Sequence, residues 1–269
     1  MDALEQVAAW PARRAAVAVT RADEELGAVG PRDEVLSWAS VTKLLAAIAA
    51  LVAVEEGVVD LDAAAGPQGS TIRHLLAHAS GLATDDTKPI ARPGQRRIYS
   101  NPGFEVLATG VENAAQMPFA DYLHAAVIEP LGLSQPLRGS PAHGYRGSLD
   151  DLLALGRELL SPTLLAPETL AEATDVAFPG LVGILPGFGR QEPNDWGLGF
   201  ELRDAKSPHW TGTHNSPGTF GHFGASGTFL WVDPEADLAC ACLTDLEFGP
   251  WAREAWPRLA DALLAEARR

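Results

Sequence analysis

Three short stretches of this chain carry residues whose types and spacing suit nucleophilic chemistry. In Ser40-Val41-Thr42-Lys43 a hydroxyl and an amine lie three residues apart, so on a helix they share one face. A serine hydroxyl attacks poorly until a base takes its proton, and an unprotonated amine is such a base. From Leu44 to Val54 no side chain is charged or hydrogen-bonding. A helix that is apolar all round belongs in a core, and an amine at its head costs free energy unless something uses it. The plainer alternative is a capped helix, with Ser40 near the N-cap and Lys43 reaching out to solvent.

The second stretch is Tyr99-Ser100-Asn101, ahead of Pro102-Gly103. A tyrosine can shuttle a proton if a neighbouring cation lowers its pKa. An asparagine can hold a substrate amide through both donor and acceptor. Locally, Asn101 could instead cap the helix that Pro102 opens, with Tyr99 as a packed aromatic. The third is Gly221-His222-Phe223-Gly224-Ala225-Ser226-Gly227. Glycines beside a strand allow close approach to the backbone, and an exposed strand edge can offer an N–H to an oxyanion. The competing interpretation is a glycine-rich hairpin with a surface imidazole.

These stretches need elements to position them. Residues 2–10 have the pattern of a short helix before Pro11. Ala15–Thr20 and Leu26–Gly30 alternate like paired strands. The apolar helix behind Ser40 ends near Gly57, and Thr71–Ala79 is a short helix stopped by Gly81. Helices are expected from Pro102 to about Gln116, over Phe119–Ile128, over Ser148–Leu160 with Asp150 and Asp151 in its first turn, and over Pro167–Thr174. Thr84–Gln95 and Phe178–Asn194 are expected to be loops. Strand-like runs then follow at Gly197–Leu202, Thr219–Phe223, Thr228–Val232 and Leu238–Leu243, with a hairpin turn at Asp233–Asp237. Pro250–Arg268 closes the chain as a helix that Pro257 is expected to break. Strands at both ends and helices between predict an α/β (α+β) fold. Its antiparallel sheet would be built from both termini and flanked by terminal helices. One catalytic domain, 1–269, is expected, with a sheet part at about 1–60 and 195–269 and a helical insert at about 61–194. Ser40 would lie where the two parts meet, a favoured place for a cleft.

Bulk properties narrow the function. The 269 residues are 46% hydrophobic, enough for a sizeable core. A net charge of −15, from 35 acidic and 20 basic residues, repels phosphate backbones and anionic membranes. No nucleic-acid or membrane partner is therefore expected. Cys240 and Cys242 are two apart on one strand, facing the same side, and are expected to be buried free thiols. The start, Met1-Asp2-Ala3-Leu4-Glu5, has no basic region followed by an apolar one, so a cytoplasmic protein is expected. His74 and His78 are four apart, a spacing found in metal sites. No acidic residue follows His74 as zinc proteases require, so no metal is expected. His209 and His214 are placed near the third stretch as cleft or solvated residues, and Trp196, Trp210 and Trp231 as core or cleft wall.

In their order, Ser40-x-x-Lys43, Tyr99-x-Asn101 and His222-x-Gly224 resemble the serine β-lactamase and penicillin-binding-protein superfamily. The nearest likeness is its class C branch, with related esterases, D-aminopeptidases and D,D-peptidases. Thr71–Leu82, Ile128–Leu133, Trp196–Phe200 and Gly221–Pro234 match as well, and the resemblance covers roughly residues 10–265. It implies a β-lactamase/transpeptidase-like fold and a serine hydrolase working through an acyl-enzyme without a cofactor. Ser40 would be the nucleophile. Lys43 and Tyr99 would form the proton-relay pair and share a proton. Asn101 would orient a substrate amide, and the N–H groups of Ser40 and Ala225 would form the oxyanion hole. His222 stands where the family usually has a lysine. A histidine is mostly neutral near pH 7, so it would hold a substrate carboxylate poorly. A small-molecule ester or amide is thus expected ahead of a β-lactam. A catalytically weak member that binds or slowly acylates, and a class C-type β-lactamase, are the alternatives.

Overall fold

The computed structural model describes residues 1–268. The strands in chain order are β1 Ala15–Thr20, β2 Glu25–Val29, β3 Leu36–Ser37, β4 Arg146–Gly147, β5 Gly183–Leu185, β6 Gly189–Gln191, β7 Glu201–Leu202, β8 Phe220–Gly224, β9 Thr228–Asp233 and β10 Leu238–Thr244. The helices are α1 Thr42–Glu55, α2 Ile72–Leu76, α3 Asn101–Ala115, α4 Phe119–Leu123, α5 Leu149–Leu160, α6 Pro167–Ala173 and α7 Pro250–Ala267. A 3-10 helix, Asp2–Ala9, precedes β1, and a π-helical turn, His124–Ile128, continues α4.

The main sheet runs β2-β1-β10-β9-β8-β7, antiparallel throughout. Strands from the two ends of the chain meet at its centre, where β1 pairs with β10 from Ala15 opposite Thr244 to Thr20 opposite Ala239. Alternation along these strands separates two cores. Ala16 and Ala18 of β1, with Ala239, Ala241 and Leu243 of β10, face the helical side. Val17, Val19, Cys240 and Cys242 face the opposite side, against Trp256, Leu259 and Leu263 of α7 and Leu4 and Val7 of the N-terminal helix. The cysteines are buried free thiols. Small side chains on the helical face let α5 approach closely. A Cβ on its Gly156 would lie 3.1 Å from the Ala239 Cβ.

Helix α1 is the hub of the helical side. Eleven of its fourteen residues are buried, including every residue from Thr42 to Leu51. It packs against α3, α4 and the π-helical turn. A fully buried leucine contributes about 2 kcal/mol relative to an exposed one, so Leu44, Leu45 and Leu51 anchor this element strongly.

Four expectations need correction. The Phe178–Asn194 segment contains a hairpin, with β5 pairing Gly183 to Gln191 and Leu185 to Gly189 of β6. Of Gly197–Leu202, only Glu201–Leu202 is a strand. The short helix over Thr71–Ala79 is limited to Ile72–Leu76, with the Thr71 side chain capping it and His78 left-handed beyond it (φ 54°). Pro257 does not break α7, which continues to Ala267. Burial of Trp256, Leu259, Ala260 and Leu263 around it offsets the roughly 3 kcal/mol that an interior proline costs.

Candidate active site

Ser40 is presented by a constrained turn rather than by α1 itself. Ala39–Val41 form a 3-10 turn and α1 begins at Thr42. Ala39 is left-handed (φ 44°), a conformation that costs a non-glycine residue about 1 kcal/mol and needs support from its surroundings. That support comes from four directions. The Trp38 N–H donates to the Tyr145 carbonyl at 3.0 Å. The Tyr145 N–H donates to Thr42 Oγ1 at 3.1 Å. Ser226 and Thr228 hydroxyls both donate to the Ser37 carbonyl, at 2.8 and 3.0 Å. Pairing of β3 with β4 holds Leu36 and Ser37 from behind.

The third motif lies directly against this turn. A Cβ on Gly224 would fall 2.5 Å from the Trp38 carbonyl oxygen and 3.2 Å from the Ser40 nitrogen. Only glycine lets β8 come this close, and so its Gly224–Ala225 backbone runs beside the Ser40 amide. β7 pairs with β8 at Phe220 and Gly221, which leaves the edge over His222–Gly224 without a strand partner among the described residues. An open edge beside a serine amide is the geometry an oxyanion needs.

Lys43 is fully buried. Its Nζ donates to Asn101 Oδ1 at 2.7 Å and to the Ala142 carbonyl at 2.9 Å. Both acceptors are neutral. Burial pulls the amine down to about 7, against a weak upward pull from Asp85 and Glu105. A lysine poised near 7 loses its proton easily at neutral pH. Its Nζ lies over the Tyr99 ring, 4.7 Å from the centroid, rather than at the phenol oxygen.

Tyr99 therefore differs from expectation. Its hydroxyl is buried without a hydrogen-bond partner. Burial raises its pKa, and the nearby Ser40 hydroxyl offsets this only partly, so the phenol is neutral. No cation at the oxygen lowers it, and the shared Lys43–Tyr99 proton is absent from this hydrogen-bond pattern.

Asn101 is the first residue of α3, and the cap is Ser100, whose Oγ accepts from the Gly103 N–H at 3.1 Å. Both ends of the Asn101 amide are engaged: Oδ1 with Lys43, and Nδ2 donating to Asp85 Oδ1 at 2.7 Å. Asp85 takes one of the two Nδ2 hydrogens, which leaves the second for a substrate carbonyl.

His222 is buried, and its Nδ1–H donates to the Phe223 carbonyl at 2.7 Å. Nε2 is then a bare acceptor with no partner. Burial and the neighbouring Lys43 lower its pKa to about 3, so it is neutral at any ordinary pH. Its ring stands 5.9 Å from Tyr99 and 5.6 Å from Trp196.

A pocket of about 740 Å³ opens beside Tyr99, lined by the aliphatic side chains of Ile90, Ile98, Leu181, Val182 and Ile184 and by polar residues that include Arg96, Arg97 and Arg190. Its floor is fixed by Arg97, a buried guanidinium donating to the carbonyls of Ala77, Ala177, Phe178 and Asn194.

The structure thus brings Ser40, Lys43, Tyr99, Asn101, His222 and Gly224 into one chain of neighbours, with Ala225 following Gly224. His74 and His78 do not converge. His74 pairs with Thr71 and stacks on Phe178, while His78 is buried against Tyr99. His209 is not in the cleft either, being bound to Glu201, and His214 is exposed beside Asp261. Sequence reasoning missed Asp85, the Ala142 carbonyl and the left-handed Ala39. No spacing marks the first two, and alanine is not a left-handed residue by preference.

Comparison with known proteins places the chain in a family. A family model described as Beta-lactamase matches residues 7–265. The crystal structure of a beta-lactamase from Mycobacterium bovis is 53% identical, with a TM-score of 0.97, covering 98% of this chain and 99% of that one. EstCE1, a hydrolase with promiscuous acyltransferase activity, shares the fold at 19% identity and a TM-score of 0.79, covering 98% and 97% of the two chains. Penicillin-binding protein 4* of Bacillus subtilis is 32% identical over 94 residues, 25% of this chain. That match spans only 21% of the length of the curated relative. With the family model covering nearly its whole length, the chain belongs to the beta-lactamase family of hydrolase-fold proteins.

Proposed function

We propose that the protein is a serine hydrolase that cleaves esters or amides of small, uncharged molecules through an acyl-enzyme on Ser40. The observation that carries this reading is Lys43, a fully buried amine lowered by burial to about 7, hydrogen-bonded only to neutral oxygens and three residues after a hydroxyl. Neutral Lys43 takes the Ser40 proton as Oγ bonds to the carbonyl carbon. The charge that develops on the carbonyl oxygen is met by the N–H groups of Ser40 and Ala225. Tyr99, kept as a neutral phenol by burial, gives its proton to the departing alkoxide or amine. Water then attacks the ester on Ser40, giving a proton to the Tyr99 phenolate, while protonated Lys43 returns its proton to the departing Ser40 oxygen, which releases the acid and restores all three side chains.

The surroundings support an uncharged substrate. Neutral His222 offers an acceptor where a carboxylate would need a cation. The pocket beside Tyr99 offers an apolar stretch of Ile90, Ile98, Leu181, Val182 and Ile184 to an acyl or alcohol group, with Arg96, Arg97 and Arg190 also in its lining. The test is hydrolysis of p-nitrophenyl esters by the wild type and by Ser40→Ala. Turnover that disappears in the variant, with Ser40 labelled by a fluorophosphonate, supports the proposal. Undiminished turnover in Ser40→Ala, or no turnover and no labelling in the wild type, overturns it.

One finding favours a second reading, β-lactam hydrolysis: the relative at 53% identity carries the name beta-lactamase. Nitrocefin cleavage at rates matching the best ester would establish it. If the His222 account is right, His222→Lys improves the apparent affinity for β-lactams, and an unchanged or weaker affinity counts against that account.

A further inference from the structure

His78 lies outside the proposed reaction, yet it touches the chain on both sides of Tyr99. Its carbonyl accepts from the Ile98 N–H at 2.9 Å. Its ring Nδ1 accepts from the Ser100 N–H at 3.1 Å. One residue thus holds the backbone N–H of the residue before Tyr99 and that of the residue after it. Its ring packs against the Tyr99 ring at 4.6 Å, against Phe104 at 5.4 Å and edge-on to Trp196 at 4.8 Å. We propose that His78 is a positioning residue, a two-point clamp that fixes where the Tyr99 hydroxyl stands relative to Ser40. The inference rests on the reading of Tyr99 as proton donor.

Three features make the clamp specific. The left-handed backbone at His78 lets the carbonyl and the ring of a single residue meet the same turn. An extended or helical residue there would direct them apart. The ring is buried, so the Ser100 N–H has no water to replace Nδ1. Nδ1 must also be unprotonated. Burial holds the ring neutral, reinforced by the positive groups that face it: Lys43 from α1, Arg97 from the segment before Tyr99, and His222 from β8 when charged. The consequence extends one residue further. Ser100 caps α3, and Asn101 beside it holds Lys43, so the same clamp fixes the donor and the partner of the base together.

The test separates side chain from backbone. Glycine tolerates the left-handed conformation and lacks the acceptor. Asparagine tolerates it too and places Oδ1 close to the position of Nδ1. In His78→Gly, kcat for a p-nitrophenyl ester is expected to fall about 100-fold with KM changed less than about threefold, the scale of a misplaced catalytic group. His78→Asn is expected to recover most of that loss. Amide exchange gives a readout independent of activity. The Ser100 amide should lose protection in His78→Gly and keep it in His78→Asn, while far-UV circular dichroism confirms that both fold. The clamp is overturned if His78→Gly keeps kcat within about twofold, or if His78→Asn is as impaired and as unprotected at Ser100. Turnover that survives Ser40→Ala removes the reaction on which the inference stands and so overturns its catalytic part, and Ser100 exchange alone then decides whether His78 holds the turn.

Discussion

Two lysines are buried to the same degree in this protein and are used in opposite ways. Lys206 ion-pairs with the Glu201 carboxylate and also donates to the carbonyls of Asp195 and Leu202. Around Glu201 the set is complete: His209 donates from Nε2 at 2.8 Å and Trp210 from Nε1 at 2.7 Å. Burial alone would raise the Glu201 pKa, but His209 and Lys206 overcome it and hold the carboxylate down to about 2. Lys43 has no carboxylate in contact, only two neutral oxygens. Burial is the largest influence at both lysines and lowers both, but Glu201 opposes it directly at Lys206, whereas Lys43, with only distant carboxylates, drops to about 7. A buried cation with its counter-ion is a structural tie. Without one, it is a proton acceptor waiting for a donor, and the hydroxyl of Ser40 is three residues away.

The comparison breaks most sharply at Lys43. On the proposed mechanism Lys43→Met removes the base, and kcat/KM for a p-nitrophenyl ester is expected to fall by at least about 10³-fold. The same variant reveals the proton linkage. The folded pKa is depressed below the unfolded value, so the unfolded chain holds the extra proton between about pH 7 and pH 10. Wild-type stability should therefore rise by a few kcal/mol across that window. In Lys43→Met that component should vanish. Urea unfolding at pH 7 and pH 10 measures it, and an equal pH slope in both proteins would contradict the depressed pKa.

At Lys206 the expected order is reversed. Lys206→Met leaves Glu201 buried without its cation, and stability should fall by about 3–5 kcal/mol. Activity of the folded fraction should drop less than tenfold, on the order of an indirect effect. Pairing it with Glu201→Leu should return much of the stability, since a buried ion pair replaced whole by apolar groups is often neutral. If Lys206→Met abolished turnover while leaving the unfolding midpoint unchanged, the two lysines would not be the contrasting pair described here.

This contrast also shows which parts of the protein were legible in its sequence. The placing of Lys43 in the buried first turn behind Ser40 was legible because spacing and the apolar run carry it. The end-to-end sheet was legible because alternation and the Asp233–Asp237 turn carry it, and β9 and β10 do pair across that turn. The state of Lys43 was only half legible. Its burial follows from the apolar run behind it, but the lack of an ion partner depends on Ala142, which contributes a backbone carbonyl that any residue would supply. The 3-10 turn at Ser40 was hidden for a related reason. Left-handed Ala39 contradicts local preference and is held by distant groups on Ser226, Thr228 and Gly224. The β5–β6 hairpin was hidden by a glycine- and proline-rich composition that reads as a loop.

A pH profile separates the lysine from the histidines. The ascending limb of kcat/KM should follow an apparent pKa near 7, as Lys43 loses its proton. His222, lowered to about 3, is neutral throughout and should add no second inflection. A limb in the ordinary histidine range that survives Lys43→Met would assign the base elsewhere.

The smallest effect expected is at Asp85, which is exposed and reaches Lys43 only through Asn101. Its charge raises the Lys43 pKa, against the larger effect of burial. Asp85→Asn removes that charge while its own amide oxygen can still accept from Asn101 Nδ2. The ascending limb should therefore move to lower pH by a few tenths of a unit, because an exposed carboxylate is well screened. Raising the salt concentration should shrink the difference between the two proteins. Two opposed outcomes carry information. A shift to higher pH would mean that Asp85 does not act on Lys43 as a charge. A shift of more than about one unit would mean that the pair is drier than its exposure allows, and that Lys43 resembles Lys206 more than the neutral contacts indicate.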